Sequence, residues 1–333
     1  MSRMMFALCL FLTVSACAAR GVVSILPGAT AANAVVQPVY VATNRNPASG
    51  EEGRLFQQQF GENRDAALRY VRMDVSIPPG HKSGQIEWPA PEPPDPARHF
   101  VVSGEQMFAG PSEFLNGLQN DAPRGSQEIV LFVHGYNVNN AEAVYRLAQI
   151  AHDFEAKVPV VAYSWPSAGS PRGYAYDRDS VIFSRDGLET LLTELTSQNR
   201  VLIVAHSMGS QLVMETLRQM AISGKGSVIS RLSGVALISP DIDEDVFLQQ
   251  AKRIKPFPQP FMLLVSAHDK ILDLAAFLTG KPTRLGSISD PGRLADLPVE
   301  IIDLSDIEGG DPSGHNTAFT APAAIALLRS LGS

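Results

Sequence analysis

The sequence predicts a mostly parallel, doubly wound α/β sheet preceded by an antiparallel β extension. Three features predict it. From Glu128 onward, continuous apolar runs alternate with amphipathic stretches. Those runs lack the in-out alternation of a strand with one wet face, so both of their faces need cover. One of them passes directly into a small-x-Ser-x-Gly turn and then a helical stretch, Val201-Leu202-Ile203-Val204-Ala205-His206-Ser207-Met208-Gly209 followed by 211–222.

The parallel strands are expected over 129–133, 158–163, 201–205, 234–238, 261–265 and 299–304. Between them lie helical faces: Val144, Leu147, Ala148, Ala151 and Phe154 form one stripe, and Leu188, Leu191, Leu192 and Leu195 another. A last helix is punctuated by Thr320 as N-cap, Pro322 in its first turn and Gly332 just past its end. Upstream, short β-like runs at 39–42, 70–75, 85–88 and 100–102 are broken by Pro79-Gly80 and by a Pro-rich stretch over 89–96. The expected organisation is one domain over 37–333, with a β-rich part to 126 and the catalytic core over 127–333.

The first sixteen residues read as an export signal, with Arg3 ahead of a short apolar stretch that is too brief to span a bilayer. Val14-Ser15-Ala16-Cys17 resembles a bacterial lipobox, which implies cleavage before Cys17 and lipidation of its thiol. Ala18 after it implies the outer membrane, facing the periplasm; an ordinary cleaved signal would leave the protein soluble and exported. Residues 17–36, rich in small side chains, read as a disordered tether. Cys9 and Cys17 are the two cysteines, and Cys9 falls in the removed segment, so the mature chain has no internal disulfide.

The 333 residues are 45% hydrophobic, enough for a sizeable core, and the net charge of -7 without a long basic run argues against a nucleic-acid partner. No cofactor and no metal is expected.

Ala205 and Gly209 flank Ser207 at the positions where a larger side chain would block a sharp strand-to-helix turn, which makes Ser207 the candidate nucleophile. Ser167 has Trp165 where a small residue is needed and reads as a loop residue. A serine hydroxyl needs a base, and the base an acid to fix its tautomer. His315, in the Gly-rich loop after the last strand, is the candidate base. Asp269 after 261–265 is the favoured acid, with Asp241 as the alternative and Asp243 nearby. The backbone N–H groups of Met208 and Tyr136 are the candidate oxyanion donors, Tyr136 because His134-Gly135-Tyr136-Asn137 follows a buried strand. His134, Trp165 and His206 are candidate pocket residues; His134 is expected to orient its loop and not to transfer protons. Trp165, Tyr174, Tyr176 and Phe183 are expected on a long loop whose aromatic rings either wall the pocket or anchor the loop. The segment between 238 and 261 is too short for a large cap domain.

Tyr40 to Arg45, Val75-Ser76-Ile77-Pro78 with His81 and Gly84, His134 to Asn137, Ser164-Trp165-Pro166-Ser167, Ala205 to Gly209, Pro240-Asp241 and Gly314-His315 together resemble a family of bacterial α/β hydrolases of unknown function. The resemblance covers nearly all of the chain after the tether. It implies the α/β-hydrolase fold, with Ser207, Asp269 and His315 in the triad positions and the N-terminal strands in the same domain. Ala205 departs from the common Gly, but its side chain is not long enough to clash. The expected substrate is a small-molecule or lipid ester, with membrane contact through the N-terminal lipid; the alternative is an envelope lipoprotein that uses the same scaffold for binding without catalysis.

Overall fold

A computed structural model describes residues 21–48, 60–89, 93–280, 284–288 and 290–331. The export signal, Cys17 and Gly332 lie outside the described residues. Strands β1 (Val35–Pro47), β2 (Phe60–Ile77) and β3 (Val101–Phe108) come first, followed by β4 (Glu128–Val133), β5 (Val160–Ser164), β6 (Arg200–His206), β7 (Leu232–Ile238), β8 (Phe261–Val265) and β9 (Glu300–Asp303). They form one sheet of order β3-β2-β1-β5-β4-β6-β7-β8-β9. β2 pairs antiparallel with both β1 and β3, whereas every pairing from β1 across to β9 is parallel. The expected mixed sheet is what forms.

The helices are α1 (Pro111–Asp121), α2 (Asn140–Asp153), α3 (Tyr174–Thr196), α4 (Met208–Ile222), α5 (Gly226–Ile229), α6 (Glu244–Arg253), α7 (Lys270–Thr279), α8 (Thr317–Thr320) and α9 (Pro322–Leu331). Leu131 and Phe132, neighbours in β4, point into opposite cores, so both must be apolar. On one side, Leu188, Leu191, Leu192 and Leu195 of α3 and Leu212, Val213 and Leu217 of α4 cover the sheet. On the other, Val144, Leu147, Ala148 and Ala151 of α2 do so, joined by Phe319. Each such Leu, Val or Phe side chain contributes about 1.5–3 kcal/mol by leaving water, and each alanine methyl less. Asn139 starts α2 through a reciprocal cap, its side chain accepting from Glu142 N while the Glu142 carboxylate accepts from Asn139 N.

Four local expectations are corrected. Residues 85–88 form no strand: the Glu87 carboxylate turns to His81, and the Trp88 ring packs 5.0 Å from that of Tyr145. The described part of the tether, from Gly21, is docked: Val23 is buried, Ser24 N donates to the Tyr145 hydroxyl, and Leu26 N donates to Val102 O. Thr320 ends α8 and does not cap α9; its hydroxyl donates to Asn316 O and accepts from Asp311 N. Tyr174, Tyr176 and Phe183 lie on α3 and not on a loop.

The loop after β2 is fastened to α2 by a charged triad. His81 Nδ1 lies 2.8 Å from Glu87 Oε2, and its Nε2 lies 3.0 Å from Asp153 Oδ1. Burial opposes charge on this ring, but the hydrogen bonds to Asp153 and Glu87 outweigh it and raise its pKa from 6.5 to about 9. Burial also opposes charge on Glu87 and Asp153, yet the bonds from His81 hold both carboxyls below their ordinary range. Below the unfolded value of 6.5 the ring is protonated in both states, so its contribution to stability is whole; it is lost as pH rises through about 9. The carboxylates' contribution is present above their unfolded values and is lost as pH falls through their lowered ones. Wild-type Tm should therefore drop between pH 7 and pH 10 by more than that of His81→Gln, measured by thermal denaturation; equal drops would sink the assignment.

Candidate active site

β6 ends at His206, and the chain must reverse into α4 within one residue. Ser207 makes that turn at φ 53° and ψ -124°, a backbone conformation that costs a non-glycine residue on the order of 1–3 kcal/mol. The turn is held from both sides: Ser207 N donates to Ile238 O at 2.9 Å, and Asp241 N donates to Ser207 O at 3.2 Å. Ser207 is 2% exposed. Met208 is the first residue of α4, so its N–H has no acceptor within the helix. On the neighbouring strand, the turn after β4 brings Gly135 against the serine: a Cβ there would stand 2.9 Å from Ser207 Cβ. Tyr136 N is the next peptide group along.

Asp269 and His315 come together from loops after β8 and β9. His315 Nδ1 lies 2.7 Å from Asp269 Oδ2, and Asp269 is fully buried. Asp269 Oδ1 accepts from Ile271 N and Leu272 N, so one carboxylate caps α7 with one oxygen and holds the imidazole with the other. The His315 loop is pinned by its own backbone. The His315 carbonyl accepts from His206 Nε2 and from Ser239 Oγ, both at 3.1 Å. Gly314 adopts φ +77°, and a Cβ there would lie 2.6 Å from His268 O; only glycine fits this close approach with left-handed backbone.

Asp241 is committed elsewhere. Its carboxylate accepts the Tyr174 hydroxyl at 2.9 Å and pairs with Arg284 Nε at 3.2 Å, both partners of that pair being buried. Asp243 caps α6 through Asp245 N and Val246 N.

Of the candidate pocket residues, His134 and His206 line a cleft of about 360 Å³ beside Gly135, Tyr136 and His315. Trp165 does not: it is fully buried beneath the site, stacked 4.9 Å from the His134 ring, and its indole N–H donates to His134 O. Burial, with Arg45 nearby, lowers the His134 pKa to about 3, which leaves it a neutral strut. Burial and the neighbouring His315 push His206 well below the ordinary histidine value, and its ring centroid is 4.6 Å from that of His315. It positions the His315 loop.

Sequence reasoning missed the other walls. Ile86 and Trp88 come from the loop before β3, Arg146 from α2 and Phe319 from α8. The apolar residues of 85–88 were the available signal, but a β-like run does not tell which distant element it will face. It also assigned no role to Arg45. That side chain is buried at the end of β1, where Nε donates to Ser164 Oγ, Nη1 to Ser167 O and Nη2 to Val138 O. Asp177, raised in pKa by burial, accepts from Ser167 Oγ, Ala168 N and Asn137 N. Arg45 and Asp177 together hold the turn after β4 and the segment after β5.

His81, His152 and Asp153 each offer a metal-ligand atom, all within 4.8 Å of one another. Both ring nitrogens of His81 already meet carboxylates, so a proton does there what a cation would do. No helix among the described residues is long and apolar enough to cross a membrane.

Loops from the carboxyl ends of β6, β8 and β9 thus bring serine, aspartate and histidine, in that chain order, to one edge of a parallel sheet, and the class of protein so defined is the α/β hydrolases. The chain belongs to the family described as alpha/beta hydrolase of unknown function (DUF900), whose model matches residues 113–331. An uncharacterized protein of Nostoc sp. is 28% identical over 122 residues, a match that spans 28% of this chain and 32% of that protein's length. Among solved structures, a predicted CIB-like hydrolase from Thermoplasma acidophilum is similar with a TM-score of 0.38 and 15% identity, over 63% of this chain and 89% of that one. Dienelactone hydrolase from Anabaena variabilis is similar with a TM-score of 0.42 and 15% identity, over 63% and 86%. A monoacylglycerol lipase from Paleococcus ferrophilus is similar with a TM-score of 0.39 and 14% identity, over 61% and 94%.

Proposed function

We propose that this protein is a serine hydrolase that cleaves a carboxylic ester through Ser207, His315 and Asp269. The observation that carries the reading is the buried Asp269–His315 pair, 2.7 Å between Oδ2 and Nδ1, held at the same sheet edge as a serine on a strained turn, with the His315 carbonyl bonded by His206, the residue before that serine. Asp269 fixes the tautomer in which Nδ1 bears hydrogen, which leaves Nε2 to take the Ser207 proton as Oγ attacks the ester carbonyl. The tetrahedral oxyanion is received by the N–H groups of Met208 and Tyr136. Protonated His315 then gives its proton to the departing alcohol. Water, deprotonated by the same imidazole, cleaves the acyl-serine and restores the hydroxyl. His206 and Ser239 hold the His315 backbone and take no proton in this cycle.

The substrate is a small or lipid-derived ester. The lipobox-like segment ending at Cys17 motivates the further proposal that the protein is an exported lipoprotein facing the periplasm from the outer membrane; mass spectrometry of the mature N-terminus checks it, a diacylated Cys17 being the expected result and an unmodified N-terminus the contrary one.

A fluorophosphonate probe tests the catalytic reading. Folded wild type should be labelled at Ser207, and Ser207→Ala should lose both labelling and turnover of 4-nitrophenyl esters by at least roughly 10³-fold. Folded wild type that resists the probe, or equal labelling of the variant, would remove the reading.

A further inference from the structure

The cleft holds a cation that the reaction as described does not use. Arg146 of α2 is the one arginine or lysine among the residues lining the cleft, which it shares with His206 and His315. Its Nη1 donates to Gln149 Oε1 at 2.7 Å, and among the described residues no carboxylate stands within ion-pairing distance of the guanidinium. Three carboxylates act on it from farther away, Asp311, Asp153 and Glu142. Each has other work. Asp311 accepts from Ser313 N and Asn316 N, Asp153 accepts from Gly84 N and meets His81, and Glu142 accepts from Asn139 N and Gly21 N.

A guanidinium presents five donors in a planar fork that matches carboxylate and phosphate oxygens. Burial lowers the Arg146 pKa to about 10, which still leaves it charged at neutral pH. The lining is mixed: Ile86, Trp88, Phe132 and Phe319 are apolar, while Glu142, one turn before Arg146 on α2, puts a carboxylate on the same cleft. A partly buried guanidinium that makes no direct ion pair binds an arriving anion more strongly than an exposed one would, even with three carboxylates acting on it from farther away. Its charge also helps to keep His206 neutral, so the two groups are electrostatic neighbours.

We propose that the cleft takes an anionic ester, whose carboxylate or phosphate group is received by Arg146 while its ester carbonyl lies at Ser207. The inference rests on the hydrolase reading above, and its test separates the two. Three chromogenic esters are compared: neutral 4-nitrophenyl valerate, 4-nitrophenyl hydrogen glutarate with a carboxylate ending the acyl chain, and 3-carboxy-4-nitrophenyl valerate with the charge on the leaving group. Wild type should favour one anionic ester over the neutral one in kcat/KM, the preferred one telling on which side of the scissile bond Arg146 lies. Arg146→Gln should lower that ratio by roughly ten- to a hundredfold, as expected for a charge-assisted contact, and Arg146→Lys should keep part of it. No anionic preference in wild type, or a ratio that Arg146→Gln leaves unmoved, overturns the proposal.

A second measurement does not need turnover. Glutarate and inorganic phosphate are added singly, and Tm and the rate of fluorophosphonate labelling are read. The anion that raises Tm and slows labelling in wild type, with both effects lost in Arg146→Gln, identifies carboxylate or phosphate as the favoured group. If Ser207 resists the probe while the Arg146-dependent Tm shift persists, hydrolysis fails and the anion site stands. If labelling proceeds and neither anion acts through Arg146, the anion site fails and hydrolysis stands.

Discussion

Asp269→Asn should lower kcat by roughly 10⁴-fold while leaving the fold nearly as stable as wild type. The amide oxygen can still cap α7, accepting from Ile271 N and Leu272 N as Asp269 Oδ1 does. What the amide cannot do is stabilise an imidazolium at His315 or hold Nδ1–H in the productive tautomer. Asp241→Asn should show the reverse pattern. It leaves the buried Arg284 guanidinium without its carboxylate and weakens the bond from Tyr174, at a cost of about 3–5 kcal/mol. Steady-state ester hydrolysis set beside urea denaturation reads both effects. A large kcat loss at unchanged stability in Asp241→Asn, with Asp269→Asn near wild type, would transfer the acid's role to Asp241.

Gly209→Ala should be a highly damaging single methyl addition in the site. A Cβ at Gly209 would stand 2.3 Å from His134 O and 2.6 Å from Val133 O. Both are backbone atoms at the end of β4, so no rotamer change can relieve the contact; α4 must move away from the strand. The expected loss is ~3 kcal/mol of stability, with activity falling further because Met208 N and Tyr136 N, the two proposed oxyanion donors, lie on the elements forced apart. Denaturation midpoints and kcat measured on the same sample check this. A variant as stable and active as wild type would mean that α4 and β4 do not meet as closely as described.

Most strands of the parallel sheet were legible because they are bounded by polar turns and are apolar on both faces, as Leu131 and Phe132 illustrate; the edge strand β9 instead has a charged residue at each end. The elbow was legible because Ala205, Ser207 and Gly209 are close in sequence and sit between a strand and a helix. Chain order favoured Asp269 as the partner of His315 but left Asp241 open. Less local features were misread. The Gln85–Trp88 segment has strand-like residue types, but the Glu87 carboxylate bonds to His81 and the Trp88 ring packs on Tyr145. Trp165 has the size of a pocket wall, but stacking on His134 buries it completely.

By itself, then, the sequence determined the mixed α/β sheet, the candidate nucleophile Ser207 and the candidate base His315, because hydrophobic periodicity and turn chemistry act over a few neighbouring residues. Tertiary structure decided which aspartate meets His315, since Asp269 and Asp241 each follow a strand and differ in what lies opposite them. It also decided that Arg45 and Asp177 brace the turn after β4, and that Arg146 opens into the cleft beside Trp88. Those assignments depend on side chains brought together from separate strands and helices, and long-range packing of that kind leaves no periodic trace in a single chain.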